Sequence, residues 1–375
     1  ILEKGFSFIA VEGDWPDCYE VNRYVKGQPG AGDSAREALQ AFTRWPTWMW
    51  ANEEVAELAE WLRRHNDALP PERKVGFYGL DVYSLWDSLY AVMSYLRREH
   101  PEALPAALRA FHCFEPYGED AQEYARATVV VPTSCQAEAV QLLSELRARA
   151  PAASAEGREA RFAAEQNALV VKNAEAYYRT MVRGGPESWN IRDRHMAETL
   201  DRLAEFHGPN ARAIVWAHNT HVGDARFTDM ADDGMVNLGQ LARETHGAND
   251  VALVGFGSHR GSVIAGAAWG APMRRMSVPP ARTGSWEDVL HRAGAENLLL
   301  LMEEFRGEPL EERRGHRAIG VVYRPQSEHF GNYVPTVLPR RYDAFLYLDE
   351  TRALHPLGGV PVEKREAPET FPTGV

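Results

Sequence analysis

His218 and His221 stand three positions apart where the apolar run Ile214-Val-Trp-Ala217 ends. Histidine titrates near neutrality and also ligates metals, so the pair suits proton transfer or metal binding. In an extended strand this spacing puts the two rings on opposite faces, and in a helix on one face. A tight turn through Asn219 and Thr220 would aim both into one cleft. Two loop histidines that cap backbone groups are an equal alternative, because H-x-x-H alone is a weak pattern. Two further apolar runs end on carboxylates: Phe6 to Val11 reaches Glu12 and Asp14, and Lys74 to Leu80 reaches Asp81. Glu12 could orient a histidine, hold a water or accept a proton, and Gly13 lets the backbone approach a ligand closely. Asp14 is read rather as the cap of a following helix, since Pro16 suits a first helical turn. Asp81 divides evenly between a site and a cap. Three strand ends of this kind would converge on a single site.

Further groups are candidates for binding. In Trp189-Asn-Ile-Arg-Asp-Arg-His195 the planar fork of Arg192 could bind an oxyanion or pin a carboxylate, with Asp193 beside it. A solvated helix face is the ordinary explanation of such charges. Trp45, Trp48 and Trp50 offer an aromatic surface to a large apolar ligand, although such clusters are more often core. His259, in Gly257-Ser-His-Arg-Gly261, ranks below the other pair. The sequence has no G-x-S-x-G elbow, no Walker loop and no H-E-x-x-H helix, which argues against a serine-nucleophile hydrolase.

The elements that must position these residues follow from periodicity. Six short runs rich in Val, Ile, Phe and Tyr predict strands near 6–12, 74–81, 211–217, 251–256, 318–323 and 344–348. Amphipathic stretches separate several of them. From Glu53, residues Val55, Leu58, Ala59 and Leu62 share a face; from Ser84, so do Leu85, Leu89, Val92, Met93 and Leu96. Alternating strands and helices predict an α/β fold with a mainly parallel sheet and flanking helices. Residues 84–208 are almost wholly helix-forming, with helices over Arg158–Val182 and Trp189–Phe206 and a loop at Pro151 to Gly157. They read as a large helical insertion forming one wall of a cleft, between core segments 1–83 and 209–361. Residues 362–375 read as a polar tail.

Composition narrows the class. A formal net charge of −12 argues against nucleic acid as the main partner, because phosphate binding needs a basic face. No run approaches the roughly 20 apolar residues of a membrane span, so no membrane partner is expected. Ile1-Leu-Glu-Lys-Gly5 is not a signal peptide, and the three cysteines (Cys18, Cys113, Cys135) are few, odd in number and not in metal-ligand spacing. A reduced, cytoplasmic setting is expected. Because the sequence does not open on Met, its start reads as processed or truncated.

Several segments together resemble the erythromycin esterase family. They are Val11-Glu-Gly-Asp-Trp-Pro-Asp17 with Val21-Asn-Arg-Tyr-Val25, Pro46-Thr-Trp-Met-Trp50, Gly79-Leu-Asp-Val-Tyr-Ser84, Ser188-Trp-Asn-Ile-Arg-Asp-Arg-His-Met196 and Trp216-Ala-His-Asn-Thr-His221. Ile319-Gly-Val-Val-Tyr-Arg-Pro325 and Gly331-Asn-Tyr-Val-Pro335 complete the series in the expected order. The resemblance implies an α/β hydrolase with a large helical part. Characterised members open macrolide lactones by activating water, without a covalent serine intermediate. It implies catalytic roles for Glu12, His218 and His221, and matches Arg192 and Asp193 to a conserved Arg-Asp element. With Asp14, Asp81 and Trp48, these make the candidate substrate site for a small ester or lactone, with no cofactor. The family's upstream Gly-Glu-[Ala/Ser]-[Ser/Thr]-His-Gly loop, carrying its proposed general base, is not in this sequence, which implies a chain nearly inactive as it stands. Two alternatives remain: metal-assisted hydrolysis with Glu12, His218 and His221 as ligands, and a non-catalytic binding or accessory protein.

Overall fold

The computed structural model describes residues 1–130, 134–149, 154–294, 296–307 and 310–358. The expected polar tail, and the start of the loop expected at Pro151, lie outside the described residues. The chain divides into two compact units, Ile1–Phe42 with Ala56–Trp216, and Thr43–Val55 with Ala217–Val375. The fold is mixed α/β.

Three parallel strands organise the first unit. β1 (Phe8–Asp14), β2 (Gly76–Asp81) and β3 (Ala213–Trp216) lie in the order β2-β1-β3. Phe8 of β1 aligns with Gly76 on one side and Ala213 on the other. β1 and β2 are buried along their whole length, as continuous apolar strands covered on both faces should be. β3 differs: it is only partly buried, although β2 at the other edge is wholly so, and Trp216 is 48% exposed. Parallel pairing puts like ends of strands together, so β1 and β2 finish side by side, with Asp14 opposite Asp81. The register is irregular between Val11 and Asp14. Gly79 permits this, since a Cβ there would stand 2.4 Å from the Gly13 carbonyl oxygen.

Helices supply the rest of this unit. The helix expected from Ser84 runs over Leu85–Glu99, and its predicted face of Leu85, Leu89, Val92, Met93 and Leu96 is buried. Leu104–Phe114, Ala121–Val130, Gln136–Arg147 and Ala155–Met181 contribute to the same core, through Phe114, Tyr124, Leu142 and Tyr177 among others. Pro186–His207 starts with a proline in its first turn and stops at Gly208, whose φ of 93° suits only glycine. Buried Glu159, on Ala155–Met181, accepts from Lys26 Nζ at 2.5 Å and from the Tyr78 hydroxyl of β2 at 2.7 Å, tying the long helix to the sheet. Cys113 and Cys135 form a disulfide, 22 residues apart with Cα atoms 5.8 Å from each other. Packing of Leu104–Phe114 against Gln136–Arg147 brings the two sulfurs together, which their sequence spacing does not show. Cys18 stays a buried thiol.

The second unit is largely antiparallel. Its strands are β4 (Val254–Gly266), β5 (Met273–Val278), β6 (Asn297–Leu301), β7 (Arg314–Arg317), β8 (Tyr333–Thr336) and β9 (Ala344–Thr351). Four of them form a sheet in the order β5-β4-β9-β6, parallel only between β4 and β9, and β7 pairs with β8. Trp286, Tyr342, Phe345 and Tyr347 centre its core. The strand expected at 318–323 is not formed. That segment makes scattered loop contacts, Val321 and Tyr323 with Gly266, Ala318 with Asn332 and Ile319 with His218, instead of a ladder. The excursion Thr43–Val55 is held by Trp45 Nε1 donating to the Ala271 carbonyl at 2.9 Å and by a bridge from Asn52 to Pro356. Among the described residues no helix is long and apolar enough to cross a membrane.

Candidate functional site

Where β1 and β2 end, two buried carboxylates share one guanidinium. Arg192, reaching from Pro186–His207, donates from Nε to Asp81 Oδ1 at 2.9 Å and from Nη2 to Asp81 Oδ2 at 2.7 Å. The same Nη2 also donates to Glu12 Oε1 at 2.7 Å. Asp81 Oδ1 accepts the Val82 amide as well, at 2.8 Å. Burial works against the charge of Arg192, but Asp81, the Tyr83 ring 4.9 Å away and Glu12 outweigh it and hold its pKa well above the ordinary value. The guanidinium is therefore a fixed positive charge that sets the positions of both carboxylates.

His195, one turn along the same helix face, braces this cluster. Asn173 Nδ2 donates to its Nδ1 at 2.9 Å, which leaves Nε2–H to donate to the Asp81 carbonyl at 3.2 Å. Burial pushes its pKa down to about 4, so it stays neutral. The solvated-face explanation fails, because Arg192, Asp193 and His195 are all almost completely buried. His195 was not singled out as a site residue, although its spacing of three from Arg192 carries that information. Asp14 takes the helix-cap position before Trp15–Val25, yet its side chain makes no capping hydrogen bond. Asp81 is no cap either; that place before Leu85–Glu99 belongs to Ser84.

The histidine turn belongs to the second unit. His218 caps the short helix Asn219–Val222: its Nδ1 accepts from the Thr220 amide at 3.3 Å and from the Thr220 hydroxyl at 2.8 Å. Its Nε2–H donates to the Ile319 carbonyl at 3.1 Å. The capping alternative thus describes His218 locally, while His221 is fully buried within the turn. Asn237 clamps the turn from outside, donating to the carbonyls of Thr220 and Gly223. Trp48 is core, 3% exposed and edge-on to Trp45. His259 lies inside β4, not at its end, stacked on His291 with ring centres 3.7 Å apart. Among the described residues no group of three or more His, Cys, Asp or Glu side chains is placed to hold a metal ion.

Glu12, Arg192, Asp193 and the histidine turn all fall within one family model, described as erythromycin esterase, which matches residues 1–351. The chain belongs to the erythromycin esterase family. Solved structures share the family fold. A succinoglycan biosynthesis protein superposes with a TM-score of 0.75 at 20% identity, covering 94% of this chain and 82% of that one. A Bacillus cereus protein gives 0.73 at 17% identity, over 96% and 84% of the two chains. An erythromycin esterase mutant, EreC, in its open conformation gives 0.62 at 17% identity, over 96% and 86%.

Proposed function

We propose that this erythromycin esterase family member is a hydrolase that cleaves an ester or lactone by attack of activated water, with no covalent serine intermediate. The observation that carries the proposal is the buried Glu12–Arg192–Asp81 cluster where parallel strands end, the usual place for a ligand in an open α/β sheet. Glu12 is assigned to orient the water, with Arg192 fixing its carboxylate and Asp81 fixing Arg192. The turn carrying His218 and His221 is assigned to stabilise the oxyanion or protonate the leaving alkoxide. The proton lost by the attacking water passes to the leaving alkoxide, so that water and ester give acid and alcohol with no cofactor. A bulky ester such as a macrolide lactone is the proposed substrate class.

Glu12→Gln tests this, with p-nitrophenyl acetate and erythromycin as substrates. The variant keeps the side chain's shape, and kcat/KM is expected to fall by about 10²-fold or more. Hydrolysis unchanged in the variant overturns the assignment, and full activity in chelator removes the metal-assisted alternative. A non-catalytic binding protein is the competing reading, favoured by the two ring nitrogens of His218 being engaged with Thr220 and Ile319. It expects calorimetric binding of a lactone without turnover.

A further inference from the structure

Asn219, between the two histidines, is held on every side. Its Nδ2 donates to the Phe256 carbonyl at 2.6 Å, its Oδ1 accepts the Phe256 amide at 3.2 Å, and its own carbonyl accepts from Arg341 Nη2 at 2.9 Å. The second Nδ2 hydrogen points to His316 Nε2 at 3.3 Å. Behind it, His316 Nδ1 lies 2.5 Å from Glu287 Oε1, and both residues are fully buried. An amide nitrogen can only donate and an ionised carboxylate can only accept, so one arrangement satisfies the chain. His316 is neutral, with its proton on Nδ1 facing Glu287 and a bare Nε2 receiving Asn219.

We propose that Glu287 and His316 are positioning residues for the His218–His221 turn, selecting the one amide orientation of Asn219 that locks it. The proposal rests on the assignment of that turn to hydrolysis. Neither residue lies in the turn or in any segment that pointed to function by sequence. Glu287 Oε1 also accepts the Arg317 amide at 3.0 Å, while its Oε2 is buried with no hydrogen-bond partner among the described residues. Burying a carboxylate with one oxygen unsatisfied is costly, a cost that simple packing would avoid by using an apolar side chain. The charged and titratable groups facing His316 are Glu287, Arg341 and the edge-on Tyr342. Burial is the first cause lowering the His316 pKa, with Arg341 adding to it and Glu287 opposing. A proton gained on Nε2 would set donor against donor at Asn219 and release the amide.

Long-range proton–nitrogen correlation spectra of histidine-labelled protein test the proposal without any substrate. His316 is expected to be neutral with its proton on Nδ1 in the native protein; a proton on Nε2 overturns the proposal. Glu287→Ala is expected to move or broaden the ring signals of His218 and His221, and Glu287→Gln, whose carbonyl accepts from the same two donors, to restore them. Unchanged His218 and His221 signals in a folded Glu287→Ala protein also overturn it. If that variant does not fold, the native tautomer decides. Where p-nitrophenyl acetate is hydrolysed, Glu287→Ala is expected to lower kcat about tenfold with KM within about twofold. Absence of any hydrolysis counts against the proposed function and leaves the tautomer as the test of the positioning role.

Discussion

At the scale of single residues, the shared end of β1 and β2 is built on one cation between two buried anions. Glu12 and Asp81 were legible because each ends an apolar run with a charge, an expensive placement that nothing in helix or strand propensity requires. Arg192 was legible as a type but not as a partner, since it lies 111 residues from Asp81 and 180 from Glu12. His195 exposes the arrangement to acid. Its ordinary pKa of 6.5 is pushed down to about 4 in the folded protein by burial. Between those values the unfolded chain holds the proton and the folded chain does not, so stability rises with pH and is lost as pH falls. His207, also pushed down to about 4 by burial first, adds a contribution of the same sign. Each is expected to remove up to about 1.4 kcal/mol per pH unit inside that window. Urea unfolding across the window checks this, and His195→Asn is expected to flatten the slope; a slope unaltered by the substitution would dismiss the role given to burial.

At the scale of elements, the close meeting of β1 and β2 depends on a missing side chain. A Cβ at Gly79 would collide with the Gly13 and Asp14 carbonyls, which are backbone and cannot swing aside. Gly79→Ala is therefore expected to destabilise the protein by about 1–3 kcal/mol, the usual size of an overpacked core, and to displace Glu12 from Arg192. Denaturant melts and the chemical shifts of the Glu12 segment read both effects. The buried strands and the Ser84–Arg98 helix face were legible because period and burial agree there. β5 was not: Met273-Arg-Arg-Met-Ser-Val278 carries two adjacent arginines on a half-exposed edge. β6 is a run of leucines that suits helix and strand alike, and β8 contains Pro335, which argues against a strand. Segment 318–323 looked like a strand for its Val and Ile content, but loop contacts claim its backbone groups.

At the scale of the whole molecule, the Cys113–Cys135 bond sits poorly with the reducing compartment expected from cysteine number alone. Closing a loop of this length in the unfolded chain is worth about 3 kcal/mol. Reductant is expected to lower the urea midpoint of the native protein and to leave that of a Cys113→Ser, Cys135→Ser double variant unmoved. Equal midpoints for the native protein with and without reductant would dismiss the bond.

The excursion Thr43–Val55 also imposes an order of events on synthesis. Its anchors in the second unit, Ala271 for Trp45 and Pro356 for Asn52, are translated more than two hundred residues after it. The first unit is therefore translated to its end before Ala271 and Pro356, the anchors of Trp45 and Asn52, have been made. For the same reason a gene fragment starting at Ala217 encodes a second unit without one of its own pieces. Supplying 43–55 as a separate peptide would be the way to make that fragment whole.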